Sequence, residues 1–247
     1  MSQPGALLVN LGSPDSPSTA DVRRFLREFL MDPRVLDLPW PVRFFVVHGL
    51  ILPRRSAASA EAYRSIWLPE GSPLIVHGRR LLSGLRARVD CPVELAMRYQ
   101  NPSIHSALRR LAAQGVDDLL LIPLFPHYAM SSYETAVDRV RRVRSRVAPQ
   151  MRLTVHPPYG NHPEYLTALT ASAASHLHRE HDHLLFSFHG IPERHLRKSD
   201  PTRRHCLSRA DCCWVPSEAH ATCYRAQCYQ TMSAFVARTG TTRYSIS

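Results

Sequence analysis

The feature that most restricts this chain is an alternation. Five apolar runs, ALLVNLG (6–12), VELAMRY (93–99), DLLLIPLF (118–125), RLTVHPP (152–158) and HLLFSFHG (183–190), are interleaved with helically spaced stretches at 19–31, 103–113, 132–147 and about 162–179. Runs this short and apolar suit strands covered on both faces, and strands alternating with helices build βαβ units around parallel sheets. The expected fold class is therefore α/β, with parallel sheets flanked by helices. In such sheets the carboxyl ends of the strands share one edge, where ligands bind. Residues 10–13, Arg98 with Tyr99, His127 with Tyr128, His156 and His189 fall on such ends.

His189 is the sharpest of these. In LLFSFHGIP (184–192) the strand runs into the histidine, and Gly190 and Pro192 then turn the chain at once. Imidazole exchanges protons near neutrality, so a histidine in that place suits proton transfer. A hydrogen-bonded histidine at a strand end is the plain alternative.

The 247 residues leave room for one large or two small α/β domains, and APQMR (148–152) separates a basic helix from a new strand. This places an amino-terminal domain at 1–150 and a carboxyl-terminal one at 151–247. The start of the chain shows no basic stretch followed by a long apolar run, and nothing approaches the roughly 20 apolar residues of a membrane span, so a cytoplasmic protein is expected. The formal charge is +11, but Lys198 is the only lysine and the arginines are scattered. No basic run is interleaved with aromatics, and no nucleic-acid partner is expected. PWPVRFFVVHGLIL (39–52) is too apolar for an ordinary loop and too short to span a bilayer, and its plain reading is a buried core helix.

Five of the six cysteines crowd into 206–228. In a chain without a secretory leader such crowding argues for metal rather than disulfides. The spacing departs from paired CxxC motifs, and four thiolates can hold either zinc or an iron-sulfur cluster.

Residues 7–39 (LLVNLGSPDSPSTADVRRFLREFLMDPRVLDLP), FSFHGIP (186–192) and PERHLRKSDP (192–201) together resemble the ferrochelatases. The likeness continues through AEAYRSIWLPEGSPL (60–74), MRYQNPSI (97–104) and PLFPHYAMSSYETA (123–136), and so covers almost the whole chain. It implies two similar α/β domains with a porphyrin cleft between them, and insertion of ferrous iron into protoporphyrin IX or a related porphyrin in haem biosynthesis. It makes His189 the catalytic residue, expected to accept a pyrrole proton with transient contact to the iron substrate. Arg54, Arg55 and Arg98 are the implied partners of the porphyrin propionates, since guanidinium binds carboxylates through paired hydrogen bonds. Leu11, Tyr63, Tyr99 and Tyr128 are the implied cavity lining, and 39–52 the implied lip, able to touch a membrane surface. Residues 202–223 resemble the insert of bacterial ferrochelatases that carry a 2Fe-2S cluster, with Cys206, Cys212, Cys213 and Cys223 as ligands. On this reading Cys228 is a spare and Cys91 a small buried apolar residue. The chain stops at RYSIS (243–247) as another strand begins, so the second sheet is expected to be incomplete. Two readings stand beside this one: a porphyrin- or haem-binding protein without catalysis, and a redox-sensing module centred on the cysteines.

Overall fold

The computed structural model describes residues 2–247. Strands β1 (Pro4–Gly12), β2 (Val93–Tyr99), β3 (Asp118–Pro123) and β4 (Arg152–Val155) form a parallel sheet in the order β2-β1-β3-β4. Its register sets Leu8 between Leu95 and Ile122. Leu7, Val9, Ala96, Leu119 and Leu121 are fully enclosed, which is why these runs show no polar alternation. Helix α4 (Pro73–Arg86) covers Ala6, Leu8, Leu95 and Met97 with Leu74, Ile75, Leu82 and Leu85.

Local signals start the helices where the spacing predicts them. The Ser18 hydroxyl accepts the Asp21 N–H at 3.2 Å and opens α1 (Thr19–Leu30), which buries Val22 and Phe25 one turn apart. Ser103 accepts the Ser106 N–H at 3.1 Å and opens α5 (Ile104–Ala113), which packs beside α6 (Thr135–Val147) against β1 and β2. Between α1 and α4, α2 (Trp40–Phe45) continues through a π-helical stretch, Val46–Ile51, into α3 (Leu52–Ile66). Val47 and Leu52 are buried, but Trp40, Phe44 and Phe45 stay 60%, 44% and 66% exposed. For those three aromatics the core-helix alternative fails. Among the described residues no helix is long and apolar enough to cross a membrane.

The chain divides into two compact units. One runs from the amino terminus to Leu124 and resumes at Ser131–Pro157; the other comprises Phe125–Met130 and Pro158–Ser247. The sequence boundary at 150/151 falls before β4, whereas β4 pairs with β3, Leu120 opposite Thr154, and completes the first sheet. The second unit holds α7 (Pro163–Leu177), β5 (Leu184–Phe186), α8 (Glu193–Ser199), α9 (Tyr224–Thr239) and β6 (Tyr244–Ile246), with β5 and β6 paired in parallel. Here β5 is not the doubly covered strand its apolar run suggests. It has three residues and a single neighbour, and Leu185 is 58% exposed.

Candidate functional site

In the first unit the carboxyl edge of the sheet is tied together by Asp32, which follows α1 and is buried. Its carboxylate accepts hydrogen bonds from Thr135 Oγ1, the Arg98 guanidinium, Tyr99 Oη (2.9 Å) and the Arg34 backbone N–H (2.8 Å). Burial works against the charged form, but the Thr135 hydroxyl, the Arg34 amide and the Arg98 charge outweigh it and hold the Asp32 carboxyl below its ordinary range. Glycine is needed nearby: Gly12 has φ +115°, and a Cβ there would lie 2.1 Å from the Tyr99 carbonyl oxygen.

The residues expected in this unit fall in different settings. Leu11 is half-buried at the end of β1, its N–H accepted by Asn10 Oδ1 at 2.7 Å. Arg54 and Arg55 are exposed on α3, with Arg54 Nη1 3.4 Å from the Leu50 carbonyl. Tyr63 is half-buried, its ring edge-on to Phe25 at 6.3 Å. Tyr99 differs from an exposed lining residue in being fully buried, packed edge-on to Phe29 at 5.3 Å. Its phenol, pushed up by burial, serves as a donor to Asp32. Arg98, with the Asp32 carboxylate, opens onto a cavity of about 710 Å³ between α1, α2 and α6.

In the second unit His189 is exposed on the turn after β5 and lines a cavity of about 280 Å³ with Glu193, Tyr224, Arg225 and Cys228. The Tyr224 phenol oxygen accepts the His189 backbone N–H and donates its proton toward the Cys228 sulfur, so α9 holds the histidine turn. Burial pushes both Tyr224 and Cys228 up to about 12. Sequence reasoning missed these two; the YRAQC run (224–228) marked only an ordinary helix. Tyr128 is half-buried, its backbone N–H donating to Gln227 Oε1 at 2.7 Å. Beside it the His127 ring is buried, Nε2 2.8 Å from Thr231 Oγ1. Because Thr231 donates its hydroxyl proton to the Gly160 carbonyl, 2.8 Å away, Nε2 is the protonated nitrogen of His127.

Cys206, Cys212, Cys213 and Cys223 are buried in one cluster with Leu196 and Ala226, and none forms a disulfide. Cys206 and Cys213 both hydrogen-bond Cys223, and Cys213 also meets Cys212. The bond from Cys213 draws the Cys223 thiol down, while burial pushes Cys206 up. Around them Asp200 Oδ2 accepts the Cys206 and His205 N–H groups, each at 2.8 Å, and the His205 and His220 Nε2 atoms lie 2.8 and 3.1 Å from the Cys212 carbonyl. Among the described residues no three His, Cys, Asp or Glu side chains already stand in a metal-coordinating arrangement. The four thiols converge short of that geometry, and as a donor set they fit a thiolate-bound metal group.

The helix-flanked parallel sheet of the first unit makes this an α/β protein, and in the second unit a histidine stands exposed on a strand-to-helix turn. Residues 3–247 match the ferrochelatase family. The ferrochelatase of Azotobacter vinelandii (strain DJ / ATCC BAA-1303) is 54% identical over 100% of this chain and 74% of its own. Those of Stutzerimonas stutzeri (strain A1501) and Opitutus terrae (strain DSM 11246 / JCM 15787 / PB90-1) are each 52% identical, over 98% of this chain and 72% and 71% of theirs. The chain belongs to the ferrochelatase family, the lyases of haem biosynthesis that insert ferrous iron into a porphyrin.

Proposed function

We propose that His189 is the proton acceptor of this reaction. Metallation removes two N–H protons from the macrocycle as one Fe²⁺ enters, so the charges balance only if a base takes up what the pyrroles release. A neutral imidazole can take these protons one at a time, passing the first to solvent before it accepts the second, with transient contact to the iron substrate though not at the same nitrogen in the same instant. The observation that carries this reading is the position of His189, exposed on the turn after β5, lining a cavity and held at its backbone by Tyr224. Arg54 and Arg55, exposed and free of carboxylate partners among the described residues, suit the porphyrin propionates. Arg98 supports them from its tether to Asp32, and Leu11, Tyr63 and Tyr128 supply wall. Tyr99 acts through Asp32.

The buried thiols of Cys206, Cys212, Cys213 and Cys223 are the residues that would hold a 2Fe-2S cluster in the 202–223 insert. Such a cluster supplies one-electron chemistry and links local folding to metal content. Protein isolated without air is expected to contain iron and acid-labile sulfide, both lost in Cys212→Ser and kept in Cys91→Ser. Stoichiometric zinc without sulfide would reject the cluster. The exposed aromatics of α2 make the lip a surface for peripheral membrane contact on the cytoplasmic side.

The direct test is ferrous iron insertion into protoporphyrin IX. It is measured on the chain and, since the chain spans 74% of the Azotobacter vinelandii relative, on a fusion carrying that relative's remaining residues. His189→Ala is expected to lose about 10²- to 10⁴-fold in rate while still quenching porphyrin fluorescence on binding. A variant that inserts iron at the original rate would remove His189 from the chemistry.

A further inference from the structure

The cavity of about 710 Å³ in the first unit carries far more positive than negative charge. It is lined by six arginines, from α1, α6, β2 and the turn after α1, against two carboxylates, Glu28 and Asp32. Asp32 is engaged by Arg98, Arg34 pairs with Glu134 and Asp138, Arg142 pairs with Asp138, and Arg24 pairs with Asp15 and Asp21. That leaves Arg27 and Arg139 with no ion pair among the described residues. Burial first, then the neighbouring Arg98, Arg142 and Arg146, against the opposing charge of Glu28, hold the Arg139 guanidinium below its ordinary value.

The remaining wall is the lip. Trp40 stacks on Phe44 with centroids 5.3 Å apart, Phe44 stacks on His48 at 4.2 Å, and all three line the cavity. Trp40 and Phe44 are also largely exposed, and Phe45 on the same helix is 66% exposed. One helix therefore bounds a cationic cavity while presenting aromatic surface outward, the pairing that suits an interface between headgroups and acyl chains.

We propose that this cavity seats the phosphate of an anionic phospholipid, with Arg27 and Arg139 as its free cations, while Trp40, Phe44 and Phe45 enter the adjoining acyl layer. Guanidinium is the side chain best shaped for a phosphate, and the aromatic stack sets how deep the headgroup lies. The proposal rests on the membrane-facing reading of the lip and adds to it a stereochemical preference for anionic lipid.

The experiment is co-sedimentation of the purified chain with large vesicles, of phosphatidylcholine alone or with phosphatidylglycerol added, at fixed ionic strength. The phosphatidylglycerol vesicles are expected to bind more tightly, and Arg27→Gln with Arg139→Gln to reduce that binding by about fivefold per arginine, leaving binding to pure phosphatidylcholine unchanged. Arg88→Gln with Arg109→Gln, exposed arginines on the turn after α4 and on α5, should have a much smaller effect. Equal losses from both pairs would mean diffuse charge attraction and overturn the site. Full displacement by millimolar inorganic phosphate would assign the cavity to a free anion and overturn the lipid. Phe44→Ser with Phe45→Ser is expected to weaken binding to both vesicle types. If the original chain binds neither type, the lip reading fails too; if it binds both but the arginine pairs do not matter, only the headgroup proposal fails.

Discussion

Asp32 keeps its charge in a place nearly closed to water because four donors converge on it. Removing it strands the Arg98 guanidinium, whose side chain is only 10% exposed, without a counter-charge. Asp32→Ala is expected to cost about 3–5 kcal/mol in chemical denaturation, whereas Tyr99→Phe, which removes one donor of four, should cost about 1 kcal/mol. His127 shows the opposite electrostatics. Burial alone lowers it from 6.5 to about 4, so the folded second unit holds it neutral while the unfolded chain binds a proton. The unfolded state therefore carries more protons between these values, and stability is lost as pH falls from about 6.5 toward about 4. The expected loss is about 3 kcal/mol across that window. Urea unfolding of His127→Gln, followed against pH, should show a flatter profile; an unchanged slope would assign the pH dependence to other groups.

The elements show where sequence was readable. β1 to β3 stand within a residue or two of their apolar runs, because β1 and β2 are covered almost throughout and β3 stays apolar even at Leu120, which is 38% exposed. The run at 183–190 reads the same way and yields only three paired residues, since apolar content reports a tendency to be covered and not whether a neighbour exists. Asp32 was not legible: Arg98 and Thr135 lie 66 and 103 positions away, and MDPR (31–34) reads as an ordinary helix end. Cys228 was passed over because four neighbouring cysteines made a complete set without it, yet it faces the His189 cavity. Gly12 marks another long-range constraint, the close passage of β1 by Tyr99. Gly12→Ala should destabilise the first unit by more than the 1–3 kcal/mol of a strained backbone alone, read as a fall in its melting temperature.

Across the whole molecule the chain is assembled from two units with different structural means. The first encloses a four-stranded sheet and ties its carboxyl edge with a buried ion pair; the second holds a short pair of strands beside a cysteine-rich segment packed on α9. If the cysteines carry a cluster, chelation under reducing conditions should lower the melting temperature of the second unit and leave that of the first within a degree or two. Both transitions moving together would mean that the insert supports the whole chain. The role proposed for His189 is proton acceptance. Its most direct test is chemical rescue: His189→Gly, in the chain extended to the length of its relatives, assayed for ferrous iron insertion with increasing free imidazole at saturating porphyrin. The predicted result is a low basal rate that rises with the concentration of neutral imidazole while porphyrin affinity stays constant. A rate that is already undiminished without imidazole, or a lost rate that no concentration of imidazole restores while porphyrin still binds, would contradict it.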